Sequence, residues 1–393
     1  MRRNKIININ IVPAFFCTTL FLTGILLQAC ESKKDADRNS NQTQIELPNA
    51  DTASYKIKDL QPANAKPEWA PGISANMQVV IEKLQSFNSK PIEQLSAAEA
   101  RKNPTPTDAV EEVMRLNSIQ GPSMSVDTTG QPIPVMGGGN IHARVFTPAG
   151  NGPFPIIVYY HGGGWVIADL DTYDASARGL AEQVHAVVVS VDYRQAPEHK
   201  FPTAHNDSYA AYEWVTKNVD ELKGDSTRIA VVGESAGGNL AANVSIMARD
   251  KKITQPLHQV LIYPITSNNM NSESYQKYAN AMPLNKPMMV WFMDNYVRNK
   301  NDANSPMISL VNANLKGLPP TTIITAEIDP LLSDGEMLSD KLKQAGVSVE
   351  YKKYNGVTHE FFGMASVVPE AKEAQAFAAT QLQKAFEKEV KGN

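Results

Sequence analysis

The chain has 393 residues, 42% hydrophobic and 20% charged, with a formal charge of −4; it can bury a sizeable core and has no basic excess for nucleic acid or an anionic membrane face. It has two cysteines, and Cys17 falls in an N-terminal segment expected to be removed, so no disulfide framework is available to the remainder.

The N-terminal segment reads as an address. Arg2, Arg3 and Lys5 precede an apolar run from Ile11 to Leu27 that closes on "LLQAC". A basic start, an apolar centre and small residues near the end describe a secretion signal. Leu27-Gln28-Ala29-Cys30 resembles the lipobox of bacterial lipoproteins, which implies a signal peptide over residues 1–29, cleavage before Cys30 and lipidation of that cysteine. Losing the three basic residues takes the charge to −7. No later apolar run approaches the ~20 residues that span a bilayer, so the membrane is expected to be reached through the N-terminal lipid only. Glu31, where aspartate commonly retains such lipoproteins at the inner membrane, implies the cell envelope at the outer membrane, facing the periplasm or the cell surface.

Residues 31–56 are polar, rich in Asn, Asp, Ser and Lys, and lack apolar periodicity; with Cys30 they form an expected flexible tether over residues 30–61. From Pro62 the pattern becomes globular. "ANMQVVIEKLQSF" and "TDAVEEVMRLNSI" predict helices within an N-terminal segment of residues 62–125, the second with Asp108 and Glu111 at capping-box spacing and Val110, Val113 and Met114 on one side.

Strands dominate the next stretch. "IHARVFTP", "FPIIVYYHGGG", "HAVVVSVDYR", "RIAVVGES", "HQVLIYP", "TTIITAE" and "VSVEYKKYN" alternate with helical patterns such as "ASARGLAEQV", "AHNDSYAAYEWVTKNV", "GNLAANVSIMARD" and "GEMLSDKLKQAG". Continuous Val- and Ile-rich runs suit strands buried on both faces, and the alternation predicts an α/β fold over residues 126–393 with a mostly parallel sheet. Ligands bind such sheets at the carboxyl ends of the strands, and the chemistry-bearing residues of this chain fall there.

In "RIAVVGESAGGNLA" a strand runs into Gly233-Glu234-Ser235-Ala236-Gly237 and a helix starts at once. Glycines at both ends of a Gly-x-Ser-x-Gly turn allow a sharp bend that exposes the serine hydroxyl and aims the Ala236 N–H at a developing oxyanion. "HGGGW" follows another strand directly. Its glycines let backbone N–H groups converge on an anion, which makes Gly162 and Gly163 the further oxyanion-hole candidates and gives His161 a bracing role. For the acid, "TTIITAEIDPLLSDG" offers Glu327, Asp329 and Asp334, of which Asp329, just past the strand and before Pro330, is preferred. His359 in "YNGVTHEFFG" lies after the last strand-like run, shielded by Phe361 and Phe362. His142, His185, His199, His205 and His258 read as packed or solvated side chains, and only His359 completes a serine, acid, histidine order at the strand ends.

Together "HGGGW", "DYRQAPEHKFP", "GESAGGNLA", "DPLLSDG" and "HEFFG" make residues 62–386 resemble the bacterial hormone-sensitive-lipase-like family of α/β-hydrolase esterases. The resemblance implies an eight-stranded central sheet with a helical cap, and hydrolysis of a small-molecule carboxylic ester of short to medium acyl length without cofactor or metal; separately, either a monomer or a homodimer is expected. It implies Ser235, His359 and Asp329 as the catalytic residues, Gly162, Gly163 and Ala236 as the oxyanion hole, and Glu234 with His161 as structural support. "DYRQAPEHKFP" matches a stretch held to be structural, in which Tyr193, Arg194 and Glu198 are expected to form an ion network behind the oxyanion loop. Two departures stand out: Gln195 where leucine is more frequent, and Glu360 where glycine is frequent. The cap is expected in two parts, the N-terminal helices and an insert over residues 272–297. In that insert Met282, Met288, Met289, Met293, Trp291 and Phe292 suit either a tolerant acyl site or ordinary helix packing. The rival functions are a serine amidase or peptidase on the same fold, and a non-catalytic surface binding module, which would be expected to lack one of the catalytic elements.

Overall fold

Val- and Ile-rich runs that are buried on both faces have to pair side by side, and here they do so in one sheet. The computed structural model describes residues 55–122 and 125–392, so the signal peptide, Cys30 and most of the tether lie outside the described residues. The strands are β1 (Asp127–Pro134), β2 (Asn140–Thr147), β3 (Phe154–Tyr160), β4 (Val187–Asp192), β5 (Gly224–Glu234), β6 (Gln259–Ile262), β7 (Thr321–Ile328) and β8 (Val349–Thr358). Their spatial order is β1-β2-β4-β3-β5-β6-β7-β8. The β1–β2 and β2–β4 pairs are antiparallel, and every pair from β4 across to β8 is parallel. This is the mostly parallel sheet expected from the alternation of strands and helices.

The period of two along each strand divides the interior into two cores. In β3, Ile156, Val158 and Tyr160 join one core while Ile157 and Tyr159 join the other. The first core is covered by α5 (Thr203–Lys217), α6 (Ala236–Asp250) and α9 (Leu332–Gln344), the second by α4 (Asp174–Val184) and α10 (Pro369–Gly392). Strand β1 has no strand-like pattern in its sequence. It carries Gly130, Pro132 and Pro134 and buries only Ile133, a composition tolerated because it is an edge strand.

Ahead of the sheet lie α1 (Ala75–Ser86), α2 (Ala97–Ala100) and α3 (Pro106–Asn117). Met77, Val80 and Ile81 of α1 and Ala109, Val110 and Val113 of α3 are buried in the second core. The capping box of α3 differs from the expected pair. Thr105 is the N-cap and Asp108 the partner, its Oδ2 accepting the Thr105 N–H at 2.6 Å. The helix starts one turn earlier than expected because Pro106 fits the first helical position, where no N–H is needed.

The insert contains α7 (Glu273–Lys277) and α8 (Lys286–Tyr296). Its soft residues divide between two environments. Met289, Phe292 and Met293 are buried in the first core, whereas Met282 and Met288 line an open cleft of about 1210 Å³. Tyr296 at the end of α8 stacks on Trp165 with ring centroids 4.4 Å apart, which ties the insert to the loop after β3. Among the described residues no helix is long and apolar enough to cross a membrane.

Candidate active site

Strand β5 ends at Glu234 and α6 begins at Ala236, so one residue makes the whole turn. Ser235 holds φ 56° and ψ −115°, in the positive-φ range that non-glycine residues avoid. The flanking glycines make this bend possible. A Cβ on Gly233 would meet the Gly237 carbonyl oxygen at 2.1 Å, and one on Gly237 would meet the Tyr160 carbonyl oxygen at 1.9 Å. The Ser235 N–H donates to the Ile262 carbonyl at 2.8 Å, anchoring the bend to the end of β6.

His359 lies one residue past β8, and Asp329 one residue past β7. Nε2 of His359 is 2.9 Å from the Ser235 hydroxyl oxygen, and Nδ1 is 2.7 Å from Oδ2 of Asp329. With the Nδ1 proton on the Asp329 side, Nε2 is the free acceptor for the serine O–H. Oδ1 of Asp329 accepts the Leu331 N–H at 2.8 Å, which fixes the carboxylate. The three side chains are almost wholly buried, with residue exposures of 4%, 2% and 0% for Ser235, His359 and Asp329. The other two acidic candidates serve elsewhere. Asp334 accepts the N–H groups of Thr266 and Ser267 at 2.8 and 2.9 Å, and Glu327 accepts the Gly356 N–H at 2.9 Å. Burial by itself would lower the pKa of His359. The negative Asp329, hydrogen-bonded to it, outweighs that effect with help from Glu360 and Glu234, and the pKa stands above the ordinary histidine value.

Residues 161–163 press against this turn: a Cβ on Gly162 would lie 3.2 Å from the Glu234 carbonyl oxygen, and the Gly237 position is 2.5 Å from that of His161. Gly163 has φ 92° and no room for a side chain, with the Ile167 carbonyl oxygen 2.1 Å from its Cβ position. Ala236 occupies the first position of α6, where the N–H has no intrahelical acceptor. His161 donates from Nδ1 to its neighbour's carbonyl, Gly162 O, at 2.8 Å and stacks on Tyr193 at 4.3 Å, while burial lowers its pKa.

The expected network of Tyr193, Arg194 and Glu198 does not form as one unit. The Tyr193 hydroxyl donates to the His161 and Gly162 carbonyls at 2.9 and 3.1 Å. Arg194 pairs instead with buried Asp207 at 2.7 Å, and Glu198 takes a two-pronged pair from Arg101 at 2.7 and 2.9 Å. Arg101 comes from the N-terminal helices, a partner that local spacing in "DYRQAPEHKFP" cannot reveal. Gln195 donates to the Ile167 and Ala168 carbonyls at 3.0 and 2.7 Å, so the departure from leucine ties down the same loop.

Two features were invisible in the sequence. Glu234 is gripped by the hydroxyls of Tyr159 and Tyr263, which arrive from β3 and from the residue after β6. Glu360 accepts the Tyr173 hydroxyl on both carboxylate oxygens at 2.7 Å, and Tyr173 and Glu360 both line the cleft together with Gly163. Among the described residues no group of three or more His, Cys, Asp and Glu side chains is placed to hold a metal ion.

Residues 157–363 match the family described as alpha/beta hydrolase fold. The chain is 41% identical over 252 residues to Carboxylesterase NlhH of Mycobacterium tuberculosis, a match that covers 63% of this chain and 79% of that protein. It is 31% identical over 319 residues to the ethyl acetate hydrolase of Pseudomonas putida, covering 80% and 98% of the two chains. Among solved structures, the hyperthermophilic esterase of the archaeon Pyrobaculum calidifontis superposes with a TM-score of 0.72 at 37% identity, over 80% of this chain and 98% of that one.

Burial raises the pKa of Glu234 from 4.5 to about 7, against the opposing hydrogen bonds of Tyr159 and Tyr263. The folded chain therefore holds this proton to higher pH than an unfolded chain does. Stability is lost as pH climbs from about 4.5 to about 7, and the full penalty stands above that window. Asp334, raised by burial from 3.8 to about 7, acts in the same direction. Glu234→Gln removes the first contribution, so its Tm is expected to fall less than the wild-type Tm between about pH 5 and about pH 8. Equal falls in a thermal melt series would refute this assignment.

Proposed function

The chain belongs to the alpha/beta hydrolase fold family, and from that premise we propose that it is a hormone-sensitive-lipase-like carboxylic ester hydrolase for short to medium acyl chains. The observation that carries the mechanism is the row of hydrogen bonds from Ser235 through His359 to Asp329, at 2.9 and 2.7 Å. Ser235 Oγ attacks the ester carbonyl carbon as its proton passes to His359 Nε2. Asp329 holds the imidazole in the tautomer that can take the proton, and stabilises the imidazolium that results. The oxyanion is received by the N–H groups of Gly162, Gly163 and Ala236. Collapse breaks the bond to the alcohol oxygen, which leaves with the proton from His359, and an acyl group remains on Ser235. Water then attacks that acyl carbon with His359 again as base, and the carboxylic acid departs. Burial alone opposes this charge separation; Asp329 and the fixed N–H groups offset it, and their interactions are stronger in the low-dielectric site than in bulk water.

The N-terminal helices and the insert act in this reading as a two-part cap. Its support is the cleft, whose lining includes Ile92 and Ala100 from the first part and Met282 and Met288 from the second. The lipobox-like "LQAC" supports a body tethered to the cell envelope by lipid at Cys30.

The chain from Glu31 onward, assayed on p-nitrophenyl esters from acetate to palmitate, is expected to turn over best at short or medium chains. Ser235→Ala is expected to reduce kcat by roughly 10⁶-fold. A folded protein silent on the whole series would exclude the esterase reading and direct the search to amides. Because His359 must be neutral to act as base and its pKa is raised, kcat/KM is expected to rise with pH through a midpoint above the ordinary ~6.5. Asp329→Asn should move that midpoint down and lower kcat by about 10⁴-fold; an unmoved midpoint would count against the Asp329 assignment. Metabolic labelling with palmitate should mark the full chain but not Cys30→Ser, and equal labelling would remove the anchor.

A further inference from the structure

Glu360 lies beside the His359 nitrogen that faces Ser235, and acyl transfer through Ser235, His359 and Asp329 needs no proton from it. It directly follows His359 with φ 68°, a backbone state in which a side chain is strained and glycine is not. Its Oε1 lies 3.9 Å from His359 Nε2, the atom that hands a proton to the departing alcohol oxygen. Tyr173 supplies one hydroxyl proton to the carboxylate, yet an ionised carboxylate has about four acceptor sites. One-fifth of the side chain is exposed, and it faces the cleft.

The rest of that cleft carries the same sign. Glu93, Asp108, Asp169 and Asp192 line it, whereas of its two cationic lining residues Arg101 is paired with Glu198, leaving Lys90. A departing alcohol oxygen has to sit within hydrogen-bond reach of Nε2. When the alcohol chain turns towards Glu360, a positive charge two carbons along it comes within the ~4–6 Å over which an opposite charge acts strongly, and a negative one there is repelled. The imidazolium that forms on His359 is common to all esters, so discrimination comes from the charge on the substrate.

We propose that Glu360 is a specificity-determining residue that selects esters whose alcohol half carries a protonated or quaternary amine two carbons from the ester oxygen. The inference rests on the assignment of Ser235 and His359 as nucleophile and base.

The test compares acetylcholine with neohexyl acetate, its uncharged carbon isostere, on the chain from Glu31 at about pH 8, chosen high because burial raises the Glu360 carboxyl above its ordinary value. Wild-type kcat/KM is expected to favour acetylcholine by about tenfold, and the ratio to fall to about one in Glu360→Gln, which keeps the shape and an acceptor for Tyr173. A wild-type ratio of one or less overturns the proposal without recourse to any variant. A high ratio left unmoved by Glu360→Gln overturns the role of this residue. Neutral p-nitrophenyl acetate, run alongside, separates these results from failure of the parent reading. If it too is not hydrolysed, the esterase assignment falls and this inference falls with it.

Discussion

The contact between the Gly233–Gly237 turn and the end of β3 is the constraint on which the rest of the site depends. Backbone meets backbone there with no room for a Cβ at Gly237, 1.9 Å from the Tyr160 carbonyl oxygen. That approach holds Ser235 in its strained turn, places the first N–H of α6 beside the His161–Gly163 loop, and turns the hydroxyl towards His359. Strain of this kind costs on the order of 1–3 kcal/mol and persists only where the surroundings over-determine it. Here a parallel sheet on both sides of β5, two glycines and the Ser235 N–H bond to Ile262 do so.

Around the turn, the site concentrates carboxyl groups in a region with little water. Each is handled differently. Asp329 is held by the His359 ring and a backbone N–H, Asp334 by two backbone N–H groups, Glu234 by two tyrosines, and Glu360 by Tyr173. Asp329, Glu360 and Glu234 together outweigh the burial that would otherwise lower the pKa of the one buried imidazole between them. Glu234 and Asp334 also make the fold's stability depend on pH, and Glu234 thereby links stability to the charge around His359.

The loop after β3 is also where separate parts of the chain meet. Phe292 from α8 fills the space beside Gly164, Tyr296 stacks on Trp165, and Arg101 reaches the Val166 carbonyl at 2.8 Å while pairing with Glu198. A loop with three consecutive glycines, Gly162 to Gly164, has little stiffness of its own. Side chains from the N-terminal helices and the insert therefore supply its rigidity, and a change in either is expected to be felt at the proposed oxyanion hole.

The parallel sheet, the helices between its strands and the candidates Ser235, Asp329 and His359 at its carboxyl ends are legible in the residue pattern, because strand and helix periods and glycine-flanked turns are local properties. That pattern is a poorer guide where a local rule is overruled: β1, with its prolines, is a strand only because an edge tolerates them, and the cap of α3 is set by Thr105 ahead of Pro106. The partners of Arg194, Glu198, Glu234 and Glu360 were decided by the tertiary structure alone. Each is a charged or ionisable group whose counterpart comes from another element, 13 residues away for Arg194 and as many as 187 for Glu360. Burial obliges such groups to find a partner, but only the packed chain determines which one lies within about 3 Å.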